Sequence, residues 1–183
     1  MLNEEVVCLV NENIRLNEIT HFKFGLSALQ VGMFVVGRKY EVHIKTATGK
    51  FNLVFRSYFR INNKYFSRLF HLIINGVWLR IGDRLLAEMI AAVEADNHCK
   101  FGHCTVHKTG ITLYKDTKKP QKEFFISWQD LSYDKKYDRL VLNSKKHPRR
   151  WINLYYLHTW NAEVLIEFLD WVYKENELTP TLE

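Results

Sequence analysis

A chain of 183 residues with 47% hydrophobic and 14% aromatic residues has an ordinary globular composition, long for one domain and sufficient for two of about 90 residues each. Its net charge of +6 is uneven: +3 for residues 1–97, +8 for 98–150 and −5 for 151–183. Extended disorder and a spanning helix are excluded, because the most apolar stretch, Leu69 to Ile81, is interrupted by His71, Asn75 and Arg80.

In chain order, Glu5 to Lys45 reads as several short antiparallel strands. Its apolar groups are Val6 to Val10, Ile19 to Phe24 and Met33 to Val36, punctuated by Gly25, Gly32 and Gly37. Tyr40 to Phe55 reads as a hairpin turning at residues 46–50, with Val42 and Ile44 on one face and Phe51, Leu53 and Phe55 continuing the alternation. After Asn62 and Asn63, either of which can cap a helix, Tyr65, Phe66, Leu69, Phe70, Ile73, Ile74 and Val77 recur at helical spacing. Gly76 or Gly82 is expected to end that helix. Asp83 would then cap a further one with the stripe Leu85, Leu86, Met89, Ile90 and Val93. Residues 94–98 read as a link.

Beyond the link, strands are expected at His103 to His107, Ile111 to Tyr114, Glu123 to Trp128 and Asp130 to Tyr133, with turns at Lys108 to Gly110 and Lys115 to Lys122. A hairpin then turns at residues 144–150, and a helix over Ala162 to Glu175 carries the stripe Leu165, Phe168, Leu169 and Val172. Residues 40–76 and 138–174 therefore read as two copies of one plan: strand, polar turn, strand, amphipathic helix.

The order Phe101-Gly102, Thr109-Gly110-Ile111, Ile126-Ser-Trp128-Gln-Asp130-Leu131, alternating hairpin and closing helix resembles the bacterial pleckstrin-homology-like family over residues 101–175. The first copy resembles it less closely, having no Trp-x-Asp element before Tyr40. The resemblance implies an α+β, mainly β fold with tandem units at 1–97 and 98–183. Each would be a curved antiparallel sheet or partly open barrel capped by a C-terminal amphipathic helix. It also implies lipid, peptide or self association rather than catalysis, an analogy that does not by itself fix function.

His98, Cys99, His103, Cys104 and His107 are zinc-type ligands, but on a strand Cys99, His103 and His107 would share one face with Cys104 on the other, and no second pair lies at zinc-finger spacing. The expectation is no metal and no cofactor. No serine sits in a nucleophile elbow, Cys104 and His107 would point to opposite strand faces, and the eight glycines form no phosphate loop, so no enzyme is expected.

The basic turns are the candidate site: Lys118, Lys119 and Lys122 in one loop, Lys135 and Lys136 in the next, and Lys145, Lys146, His147, Arg149 and Arg150 in a third. If loops of this kind meet at one end of a curved sheet, they form an anion site in which arginines hold phosphate in a fork and lysines add point charge. Lys118, Lys119, Lys122, Lys145, Lys146, Arg149 and Arg150 are the residues assigned to it.

The expected partner is an anionic lipid surface or a protein. Homo-oligomerisation through sheet edges is the alternative, and nucleic acid, stacking on Trp151, Tyr155 and Tyr156, ranks lower. Residues 1–5 lack the basic and apolar regions of a secretory signal, and Cys8, Cys99 and Cys104 cannot all pair. A cytoplasmic chain, free or at the membrane periphery, is therefore expected.

Overall fold

The computed structural model describes residues 6–9, 12–59, 61–114 and 123–178. The fold is α+β and mainly β, with antiparallel sheets and two helices. It divides into two compact units, Met1–Arg84 and Leu85–Glu183, and the division falls inside a helix.

The first unit begins with a hairpin of β1 (Val6–Leu9) and β2 (Glu12–Arg15), followed by a three-stranded meander of β3 (Ile19–Val31), β4 (Phe34–Thr46) and β5 (Lys50–Tyr58). The expected set of short strands is thus replaced, from Ile19 onward, by two strands of 13 residues each. Gly25 and Gly37 lie inside them rather than between them. Only Gly32, at φ +59°, turns the chain there. Gly37 serves another purpose: a Cβ at that position would lie 2.0 Å from the Ser57 carbonyl oxygen, so the close approach of β4 and β5 requires glycine.

Alternation along β4 turns Tyr40, Val42 and Ile44 into the core. Tyr40 stacks on Phe55 at 5.0 Å between ring centroids and meets Phe70 edge-on at 5.5 Å, which seats helix α1 (Asn63–Glu94) on the sheet. The Tyr40 hydroxyl also lies 3.1 Å from the Ser67 Oγ. Arg84 extends back to donate to the carbonyl oxygen of Ile19 at 2.5 Å.

Helix α1 runs unbroken through Gly76 and Gly82, where a helix end was expected, and Asp83 caps nothing. Neither glycine takes a positive φ, and a mid-helix glycine costs only about 1 kcal/mol. Gly82 instead makes room for the Trp78 ring, which a Cβ would approach to 2.9 Å. The buried stripe Phe70, Ile74, Val77, Ile81, Leu85, Met89 and Val93 continues across the glycines at helical spacing, and that burial outweighs their cost.

In the second unit β6 (Cys99–Phe101), β7 (Cys104–His107), β8 (Gly110–Tyr114) and β9 (Glu123–Ser127) form a four-stranded meander. A three-stranded meander of β10 (Leu131–Lys135), β11 (Arg139–Ser144) and β12 (Trp151–Tyr155) follows, then helix α2 (Ala162–Glu175). β12 comes close to β8, joining the two sheets. Gly110 lies within β8, where a Cβ would meet the Ile126 carbonyl oxygen at 2.3 Å; it permits close strand approach rather than making the turn itself.

Trp128, in the turn between β9 and β10, ties three parts together. It donates from Nε1 to the Lys108 carbonyl at 2.9 Å in the β7–β8 turn, and its ring meets Phe168 of α2 edge-on at 6.0 Å. Leu165, Phe168, Leu169 and Val172 are all buried, as their spacing predicts, and Tyr173 donates to the Leu131 carbonyl.

Both helices follow a three-stranded meander and begin after an asparagine in the left-handed region, Asn62 and Asn161, each at φ +56°. Asparagine tolerates that conformation better than most residues. At Asn161 the contribution is this backbone turn, since the side chain makes no cap bond.

Candidate functional site

Ser144 closes β11 and organises the turn that follows. Its Oγ accepts the His147 N–H at 3.1 Å, its own N–H donates to the Arg150 carbonyl at 3.1 Å, and the Lys145 N–H donates to the Asp130 carbonyl at 2.7 Å. The turn is therefore held in place by the Ser144 hydroxyl and two backbone bonds, with Lys145, Lys146 and Arg149 exposed and Arg150 half-buried.

Those cations differ in what surrounds them. Lys146 pairs with Asp130 at 2.8 Å, and with Ser127 donating to the same carboxylate, the ammonium of Lys146 is the main cause that holds the Asp130 carboxyl below its ordinary range. Lys145 stands 5.8 Å from the centroid of the Tyr173 ring and Arg150 stands 5.3 Å from that of Phe124. Arg149 is exposed. Among the described residues, Lys145, Arg149 and Arg150 have no carboxylate partner, so three of the four assigned cations in this turn keep their charge unmatched.

The turn holding Lys135 and Lys136 does not join residues 145–150. Lys135 pairs with Asp170 at 2.6 Å, Lys136 with Asp134, and Arg139 with Asp138 at 3.7 Å. This turn lies at the other end of β11, about 20 Å of strand away from residues 145–150. It is neutralised locally and does not join the same site. Lys118, Lys119 and Lys122 lie outside the described residues. Arg150, over Phe124, reaches the start of the strand that follows them in sequence.

At the cluster of zinc-type ligands, His98 and His107 are in ring contact at 4.4 Å, and His107 Nε2 lies 2.9 Å from the Thr112 Oγ1. Burial, then the neighbouring His98, lowers the His107 pKa, with Asp96 opposing. Cys104 is wholly buried, which drives its thiol far above the usual range and leaves it chemically inert. Among the described residues no three His, Cys, Asp or Glu side chains assemble as a metal site.

Trp151 and Tyr155 lie on the outer face of β12, with Ile152 and Leu154 inward, and Tyr155 carries the Arg139 guanidinium over its ring at 5.4 Å. Alternation alone could not say which of the two faces was buried. Tyr156, just beyond the strand, is buried and donates to the Lys136 carbonyl.

A second basic segment lies in the first unit. Residues 19–82 hold ten Lys and Arg and one acidic residue, Glu41, a net +9 that is balanced by acidic segments on either side. Glu41 is only 8% exposed. Burial opposes its charge, but Lys39 at 2.8 Å, with His43 at 3.6 Å and the Ser27 hydroxyl at 3.4 Å, overrides that and keeps its carboxyl below the ordinary range. Arg38, Arg56, Lys64 and Arg68 are exposed and have no carboxylate partner among the described residues. A charge sum over shorter windows of sequence marks this segment.

No family model matches the chain, and neither the curated proteins nor the solved structures provide a match. Among the described residues no helix is long and apolar enough to cross a membrane.

Proposed function

We propose that this chain is a non-enzymatic binding module of two pleckstrin-homology-like units that docks on an anionic membrane surface through the β11–β12 turn. The order of four-stranded meander, three-stranded meander and helix in the second unit supports the architecture, and the meander and helix of the first unit repeat its closing half. The observation that carries the function is the turn itself. Its backbone is fixed by Ser144 and Asp130, yet it presents Lys145, Arg149 and Arg150 without carboxylate partners, while the neighbouring turn pairs each of its cations.

The mechanism is long-range attraction to a negative surface, followed by close contact between the guanidinium and ammonium groups and phosphate or carboxylate oxygens. Each cation near an anionic bilayer contributes about 1 kcal/mol. The triple variant Lys145→Gln, Arg149→Gln, Arg150→Gln should therefore lose about 3 kcal/mol, on the order of a hundredfold in partitioning onto vesicles of phosphatidylserine and phosphatidylcholine. Co-sedimentation measures it. Wild-type partitioning by the triple variant would sink this reading and favour an acidic protein partner or self association through the sheet edges.

A further inference from the structure

The β3–β4 ribbon is longer than the sheet that supports it. β5 pairs with β4 only from Gly37 to Lys45, whereas β3 and β4 remain paired out to Val31 and Phe34. Phe34 and Val35 thus project about 7 Å past the third strand. A two-stranded ribbon has little to bury its side chains against. In a tip of that kind polar residues are the expectation, yet the chain places Val31 (66% exposed), Met33 (94%), Phe34 (75%) and Val35 (64%) there.

A second feature adjoins the tip. Phe59 takes a left-handed backbone, φ +50°, pinned by its N–H donating to the Val36 carbonyl at 2.7 Å. A bulky aromatic residue is strained there. Its ring is nevertheless 73% exposed, so the isolated chain gains no core contact in return. Phe59 and Val35, with Arg38 and Asn63, line one hollow of about 200 Å³. Backbone strain that presents an exposed aromatic ring beside an apolar tip is a feature of contact sites.

The charge around the tip selects the occupant. Arg38 lines the same hollow as Phe59, Arg56 stands opposite Lys39 in the β4–β5 register, and Glu41, the single carboxylate of residues 19–82, is buried and paired with Lys39. A second copy of this face would bring like charge against like charge, since a two-fold contact sets a surface against itself. An apolar tip next to these cations matches the interface of an anionic bilayer, where buried apolar area and attraction to the headgroups add.

We infer that the β3–β4 tip, led by Met33 and Phe34 and flanked by Phe59, inserts into the apolar margin of an anionic membrane. This site is separate from the β11–β12 turn. It deepens the proposed membrane docking by adding penetration to electrostatic adsorption.

The test uses the 183-residue chain on phosphatidylserine–phosphatidylcholine monolayers and vesicles. Wild type should raise monolayer surface pressure and retain part of its vesicle binding at moderate salt. Met33→Ser with Phe34→Ser should abolish the pressure rise and reduce the salt-resistant binding on the order of tenfold or more. Both side chains are exposed, so the circular dichroism spectrum and melting curve should stay as in wild type. Leu79→Ser removes a side chain that is 80% exposed on α1, away from the tip in sequence, and should leave the pressure rise intact.

Salt-sensitive vesicle binding by wild type with no pressure rise would overturn insertion while leaving adsorption through the β11–β12 turn in place. A pressure rise that survives the tip substitutions would overturn it as well. So would loss of concentration-dependent self association in the tip variant of a protein that binds no vesicle, a result that would assign the tip to a protein contact.

Discussion

Replacing Trp128 with phenylalanine tests how the second unit is held together. The indole is 8% exposed, donates to the Lys108 carbonyl at 2.9 Å and packs on Phe168 at 6.0 Å, so one side chain links the β7–β8 turn, the β9–β10 turn and α2. Phenylalanine keeps most of the packing but loses the donor. A net hydrogen bond is worth about 1 kcal/mol, and the smaller ring leaves unfilled space at a similar scale, so Trp128→Phe should cost about 1–2 kcal/mol and Trp128→Ala about 3–5 kcal/mol. Trp151 provides the comparison, because at 52% exposure on the outer face of β12 its replacement by phenylalanine should stay within about 0.5 kcal/mol. Urea unfolding followed by far-UV circular dichroism reads each value from the midpoint and slope of the second unit's transition. Equal stabilities for Trp128→Phe and Trp151→Phe would refute the junction.

Two further outcomes follow from close contacts. Gly37→Ala places a Cβ 2.0 Å from the Ser57 carbonyl oxygen, so it should force β4 and β5 apart and cost about 2–3 kcal/mol by thermal or urea unfolding, whereas Gly76→Ala, which meets nothing nearer than the end of Arg80 at 3.9 Å, should be neutral or stabilising. The pKa of His107 is depressed in the folded chain by burial and by His98, so the folded state favours the neutral ring. Its contribution is complete above the ordinary value of 6.5 and is lost as pH falls below that toward the folded pKa. Melting temperature should therefore decline over that interval, and His98→Ala should raise the His107 titration midpoint seen by NMR; an unchanged midpoint would contradict the pairing.

The turns at residues 46–50 and 144–150 were legible because alternation stops and polar residues accumulate there, and α2 was legible because Leu165, Phe168, Leu169 and Val172 recur at helical spacing, although its buried face also takes in Val164, Ile166 and Tyr173. The continuity of α1 was not. Gly76 and Gly82 carry a small local penalty that the buried stripe exceeds, and only the fold reveals that Gly82 accommodates Trp78. The length of β3 and β4 was hidden for a related reason: a glycine that allows strands to approach looks the same in sequence as one that turns the chain. At the candidate site, residue types identified the cations but not their pairing. Lys135, Lys136 and Lys146 meet Asp170, Asp134 and Asp130, and the first and last of these contacts join residues 35 and 16 positions apart. The apolar tip is hidden in the sequence because Met33 to Val36 has the pattern of ordinary strand core, and only the fold shows that the third strand stops short of Phe34 and Val35.

The most direct measurement is partitioning of the 183-residue chain between solution and vesicles, with phosphatidylserine present or absent, across about 0.05 to 0.2 M salt. The account predicts binding only when the anionic lipid is present, falling steeply with salt to a residual level set by the apolar tip. Equal binding to neutral vesicles, or no binding to either at the lowest salt, would contradict it.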